Sequence, residues 1–256
     1  MKTRTIGALA AASFVLTALW LGLLIAGMSR SGPPQSFEQA LAVAGRTDVL
    51  LYLTYANDIL ITLAVSALYA GLFAYCEPAA AGWSLVGFIF VPGYCLLNLG
   101  VYLSQITVVP QLLALQRAPE YQATAAVLLR LVIQPWPGSA ASVFEGLAYA
   151  LLGIPSLIYG GVLARSRGLL RLGGVLLALN GAARIVGVAG AVLQHPLLRL
   201  GSPIGGVFFL LAMLPLSVAL LRQGARPRAR AVAVGPVQAT PAQPAEAGPE
   251  EAGDEA

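Results

Sequence analysis

Three ionisable side chains, Asp58, Glu145 and Arg184, stand near the middle of apolar runs where a charge is expensive. Two acids and one guanidinium can pair as a structural network, or they can line a water-filled cavity that takes an ion, a proton or a polar solute. Full ionisation leaves one negative charge unbalanced, so one acid of the set could exchange a proton. An Asp58 and Glu145 pair is also the one constellation from which acid-based hydrolysis within the membrane could be assembled. Other catalytic sets are missing. His195 is the single histidine and precedes Pro196 in a short loop, which excludes zinc ligands spaced along a helix and a Ser, His and acid triad in the apolar interior. The expectation is therefore no enzyme, no metal site and no cofactor.

Each charge has polar neighbours at helical spacing. Thr54, Asp58, Thr62 and Ser66 follow one slanted face, as do Tyr94, Asn98, Tyr102 and Gln105. Ser142, Glu145 and Tyr149 form a third stripe, Asn180 with Arg184 a fourth, and Asn57 adjoins Asp58. The candidate binding residues are accordingly Asp58, Glu145, Arg184, Asn57, Asn98, Asn180 and Tyr149.

The elements that must position them are membrane helices. Of 256 residues, 58% are hydrophobic and 10% charged, against roughly 25% charged in soluble domains. A run of about 20 residues at 1.5 Å rise spans a hydrocarbon core of about 30 Å. Six such runs stand out, at 5–28, 49–76, 83–109, 139–164, 169–193 and 203–221, none with the period-two pattern of a barrel strand. The sequence thus predicts an all-α, polytopic bundle of six transmembrane helices over 1–222. The first run is too long for a signal-peptide core and lacks a small-residue cleavage site, so it reads as a retained span. Cys76 and Cys95 fall at mismatched depths and read as packing residues rather than a disulfide.

Basic residues set the orientation. Lys2, Arg4, the Arg165 to Arg171 turn and the arginines from Arg222 to Arg230 outnumber those flanking the other face, so both termini are expected in the cytoplasm. On that topology Asp58, Arg184 and Glu145 lie nine, nine and six residues from the outer ends of their spans, a depth of roughly 9 to 14 Å for all three. A shared level is what would let them meet.

The longer outer segments carry their own signals. Ser36 with Gln39 suggests a capping box opening a short helix through Leu41 and Ala44, and Asp48 a cap for the second span. Residues 120–134 place Val127, Leu128, Leu131 and Val132 on one side, as in a helix lying on the membrane surface, and Trp136 suits an interfacial anchor. Gly146, Gly153 and Gly160, and Ala183, Gly187 and Ala191, recur at intervals that allow close helix packing. Pro92, Pro155 and Pro215 predict kinks. Beyond the last span, residues 223–256 turn basic and then acidic, rich in Ala and Pro, as in a disordered tail.

The stretch from Phe144 to Val192, with its turn Arg165, Ser166, Arg167, Gly168, Leu169, Leu170, Arg171, Leu172 and Gly173, resembles the later half of a family of uncharacterised bacterial membrane proteins, a domain of unknown function. Leu170 stands where that family's turn has proline. Residues 37–72, with Asn57, Asp58 and the Leu68–Tyr69 ending, are similar to its earlier part. The resemblance covers helices two to five and implies a multi-pass protein of the bacterial inner membrane, without an activity. The functional expectation is handling of an ion, proton or small polar solute through a charged pocket in the outer half. A non-catalytic scaffold or regulatory subunit is the alternative, and a membrane-embedded enzyme the third reading. The lipid bilayer is the expected partner, and nucleic acid is not.

Overall fold

The computed structural model describes residues 1–225 apart from Pro33 and Thr47. Those residues are all-helical, in the order α1 (Thr3–Ser31), α2 (Phe37–Ala44), α3 (Val49–Leu115), α4 (Gln122–Val132), α5 (Ala140–Ala164), α6 (Gly168–Val192), α7 (Pro196–Arg199) and α8 (Gly201–Ala225). Five helical stretches are long and apolar enough to cross a membrane: α1, α3, α5, α6 and the α7–α8 stretch.

Helix α3 spans what the sequence divides into two runs at 49–76 and 83–109. Its 67 residues are interrupted only at Ala80, where φ −158° and ψ 57° leave the helical region. There the chain folds back on itself, as cross-pairs of rings record: Phe73 stacks on Phe88 with centroids 5.0 Å apart, and Tyr55 meets Tyr102 at 6.4 Å. The expected six-residue connection shrinks to a single non-helical residue. Pro78 just before it has no N–H to donate and weakens the helical ladder where the chain breaks. The second half also runs past the expected end at Val109, through Pro110 to Leu115. One proline removes one ladder bond, which a long helix tolerates.

Helix packing closes a ring: α1 lies against α3, α3 against α5, α5 against α6, α6 against α8, and α8 back against α1. The main core fills this ring with Tyr69, Leu72, Leu152, Tyr159, Leu177, Met213 and Leu216, all buried. Small residues set the closest approaches. At Gly160 an added Cβ would lie 2.5 Å from the Ala178 nitrogen, and at Gly153 2.9 Å from the Gly181 oxygen, so both face α6, whereas Gly146 looks onto open space as far as 3.9 Å. Gly187 abuts Ser202 at the start of α8 rather than α5. Lipid tails are as apolar as leucine, so such close contacts, rather than hydrophobic exclusion, hold membrane helices together.

A second, smaller cluster lies at the other end of α3, where α2, α4 and the end of α3 join through Phe37, Ala40, Val109, Leu112, Leu129 and Ile133. The caps form as expected. Ser36 Oγ accepts from the Gln39 nitrogen at 3.3 Å, and Asp48 Oδ1 accepts from the Leu51 nitrogen at 2.9 Å. Gln39 reaches back to the nitrogen of Gln35 at 2.7 Å, one residue earlier than a standard box. Helix α4 buries Ala125 and Leu129 against this cluster and leaves Val127, Leu128 and Leu131 uncovered. Its uncovered side is thus the apolar one. Trp136 is half-buried and meets Phe37 edge-on at 5.8 Å.

Helix α8 continues to Ala225, so residues 223–225, expected in a tail, are helical. The expected disordered segment beyond them lies outside the described residues.

Candidate functional site

Two polar clusters lie side by side within the bundle. The first is built on α3 and α5 with the short connection after α4. Tyr102 Oη donates to Glu145 Oε1 at 2.9 Å, and Gln134 Nε2 donates to Glu145 Oε2 at 2.6 Å. Gln134 is itself held by Gln105 and Tyr55, and Gln105 also bonds the chain two residues earlier. Its backbone nitrogen donates to Gln105 Oε1 at 3.0 Å, Gln105 Nε2 donates to the Val132 oxygen at 2.9 Å, and Tyr55 Oη donates to Gln134 Oε1 at 3.3 Å. The stripe Tyr94, Asn98, Tyr102 and Gln105 is buried throughout, as its spacing predicts.

Asp58 sits one helical turn below Tyr55 and Thr54 and is 6% exposed. Its carboxylate makes no hydrogen bond and no ion pair among the described residues. It faces a cavity of about 380 Å³ that it shares with Glu145. The cavity is open to the surface. Its walls are the last three turns of α1, from Trp20 to Met28, and the start of α3, with Leu50, Leu51 and Tyr55; Arg30, Arg46 and Asp48 rim its mouth. Arg30 and Asp48 form the single ion pair among the described residues, at 3.4 Å.

The opening exists because α1 is packed at only one end. Ile6, Ala10 and Ser13 are buried, and no α1 residue after Ser13 is. Asn57 fixes the deep end of the gap, its Nδ2 donating to the Leu16 oxygen at 3.0 Å. Beyond that tether α1 stands away from α3.

The second cluster holds Arg184. Its guanidinium lies over the Tyr149 ring with Cζ 3.9 Å from the centroid, and its Nε donates to Asn180 Oδ1 at 3.4 Å. Asn180 Nδ2 donates to Ser156 Oγ at 3.0 Å, and Ser156 Oγ shares a proton contact with Tyr69 Oη. The clusters touch through one bond, 2.9 Å between the hydroxyls of Tyr149 and Tyr102.

Asp58 and Glu145 therefore line one cavity, and Arg184 stands beyond ion-pair distance from both, so of the two arrangements open to these charges the network in which Arg184 holds a carboxylate is not the one formed. The reason is lateral rather than vertical. Depth along a helix follows from residue count, but direction around it puts Arg184 on the α8 side of α6, against Gly205 and Gly206. The hydroxyls of Thr54, Thr62 and Ser66 each donate to the carbonyl four residues back, at 2.8 Å. Asn98 is fully buried, and neither of its amide atoms has a hydrogen-bond partner within bonding geometry among the described residues. Sequence reasoning missed Gln134, Tyr55, Trp20 and the Tyr69–Ser156 contact. Gln134 had a visible signal, a lone amide between Ile133 and Pro135 in an apolar run.

These features define a helical protein with five stretches suited to crossing a membrane and a pocket ending in two acids. Comparison with family models, with curated proteins and with solved structures finds no match.

Proposed function

We propose that this chain is a six-span protein of the bacterial cell membrane, with both termini in the cytoplasm, that receives a cation or proton from the outer side in the pocket ending at Asp58 and Glu145. The fold-back at Ala80 makes α3 two crossings, which supports six spans and an even count. The observation that carries the functional reading is the unpaired Asp58 carboxylate, open to a cavity and adjacent to a second acid. A charge kept inside a membrane protein without an internal partner is expensive, and a ligand that supplies the counter-charge offsets that cost. The protein is non-catalytic on this reading.

For the second cluster the structural alternative is the better one. Arg184 is occupied by Tyr149 and Asn180, and it joins α6 to α5 as a packing element.

The test is thiol access. In a Cys76→Ala, Cys95→Ala background, Asp58→Cys is treated in sealed, right-side-out vesicles with membrane-impermeant thiosulfonates of either sign. The cationic reagent should react about tenfold faster than the anionic one, the factor that 1.4 kcal/mol represents. Equal rates, an anionic preference, or no reaction from outside would reject the reading.

A further inference from the structure

We infer that the occupant of this pocket is a hydrophobic organic monocation, of the quaternary ammonium or phosphonium kind, rather than a bare metal ion; the inference rests on the reading that the pocket takes a cation. Size points that way first. About 380 Å³ lies within the range of small-molecule sites, roughly 300–1,000 Å³. A single ion needs far less.

Donor supply agrees. A divalent cation needs six or more oxygens, at about 2.0–2.6 Å. Glu145 Oε1 and Oε2 each already accept a hydrogen bond, and Tyr55 Oη is turned to Gln134. Asp58 is the one carboxylate lining the cavity with no hydrogen bond or ion pair among the described residues, a single counter-charge that suits a monovalent ligand needing no coordination cage.

The walls complete the argument. Trp20, Leu23, Leu24 and Met28 on one side and Leu50 and Leu51 on the other present apolar surface above the acids. Trp20 and Tyr55 add aromatic rings, whose faces attract an organic cation. At the mouth Arg30 is tied to Asp48, which offsets its charge, and the remaining guanidinium, that of Arg46, is exposed and screened by solvent. The outer half of α1 is uncovered, with Leu19, Leu21, Ile25 and Met28 exposed, and so gives an amphiphilic ligand a path from the lipid side. An acyl chain would fit the walls but would end against two acids.

Trp20 supplies the readout. The chain has three tryptophans, so Trp83→Phe with Trp136→Phe leaves Trp20 as the only reporter. The full chain in detergent is titrated with tetraphenylphosphonium, with its anionic isostere tetraphenylborate, and with potassium and calcium ions. Tetraphenylphosphonium should quench Trp20 saturably while the other three leave it unchanged. Asp58→Asn should weaken that binding by about 100-fold, as expected for losing one counter-charge a few ångströms away in a partly screened site, and Asp58→Glu should restore most of it. Equal quenching by tetraphenylborate, or an unchanged affinity in Asp58→Asn, would overturn the inference. A response to potassium or calcium in place of tetraphenylphosphonium would overturn the organic class and leave the cation pocket standing. Silence toward all three cations overturns the inference, and the thiol assay at position 58 then decides whether the pocket reading falls with it.

Discussion

Gly160 and Gly161 are adjacent on α5, and the same substitution should have opposite consequences at the two. An added Cβ at Gly160 would lie 2.5 Å from the Ala178 nitrogen, 2.7 Å from the Gly174 oxygen and 2.9 Å from the Ala178 Cα, all backbone atoms of α6. At Gly161 it meets nothing within 4 Å. Backbone cannot rotate away, so Gly160→Ala must push α5 and α6 apart by nearly 1 Å to reach ordinary contact, an overpacking that costs about 1–3 kcal/mol. Separation on that scale also stretches the 3.0 Å bond from Asn180 to Ser156, the link that seats Arg184. Gly161→Ala carries no such cost and gains up to about 1 kcal/mol of helix propensity. For a chain of this length each kcal/mol moves the melting temperature by about 2–4 °C. Gly160→Ala should therefore melt several degrees below the parent, and Gly161→Ala at or slightly above it. Cys76 is 1% exposed, so a thiol-reactive fluorogenic dye reports unfolding in detergent, with Cys95→Ala as background to silence the half-buried second thiol. Equal melting temperatures for the two variants would refute the α5–α6 contact described above.

Other expectations follow from the same contacts. Tyr102→Phe removes the donor to Glu145 and the bridge to Tyr149, and should lower stability by about 1–2 kcal/mol, measured by the same melting assay. Arg184→Lys keeps the charge but gives up the planar stacking on Tyr149, at a cost of about 1–2 kcal/mol, while changing tetraphenylphosphonium affinity by less than about threefold in the Trp20 titration. Asp48→Asn retains a good cap and loses only an exposed ion pair, so its melting temperature should stay within that of a change under about 1 kcal/mol; Asp48→Ala also loses the cap and should cost about 1 kcal/mol more. On the proposed topology, which puts the Arg-rich α5–α6 turn in the cytoplasm, a cysteine introduced at Ser166 should resist impermeant thiol reagents in sealed right-side-out vesicles and react in inverted ones.

What the sequence by itself determined was where the long helices lie and which of their faces are polar, though not their exact ends. The apolar runs set the helices, which are long and apolar enough to cross a membrane; Ser36 and Asp48 set two helix starts, because their side chains bond locally. The period of Tyr94, Asn98, Tyr102 and Gln105 likewise named a buried face correctly. Only the tertiary structure decided which faces meet. That Gln134 arrives from the α4–α5 connection to bond Glu145, and that Arg184 turns to Tyr149, depend on contacts between distant segments. So does the pocket. It exists because α1 is tethered at Asn57 and packed only below that point, a property of how helix surfaces fit and not of any residue's spacing within its own helix.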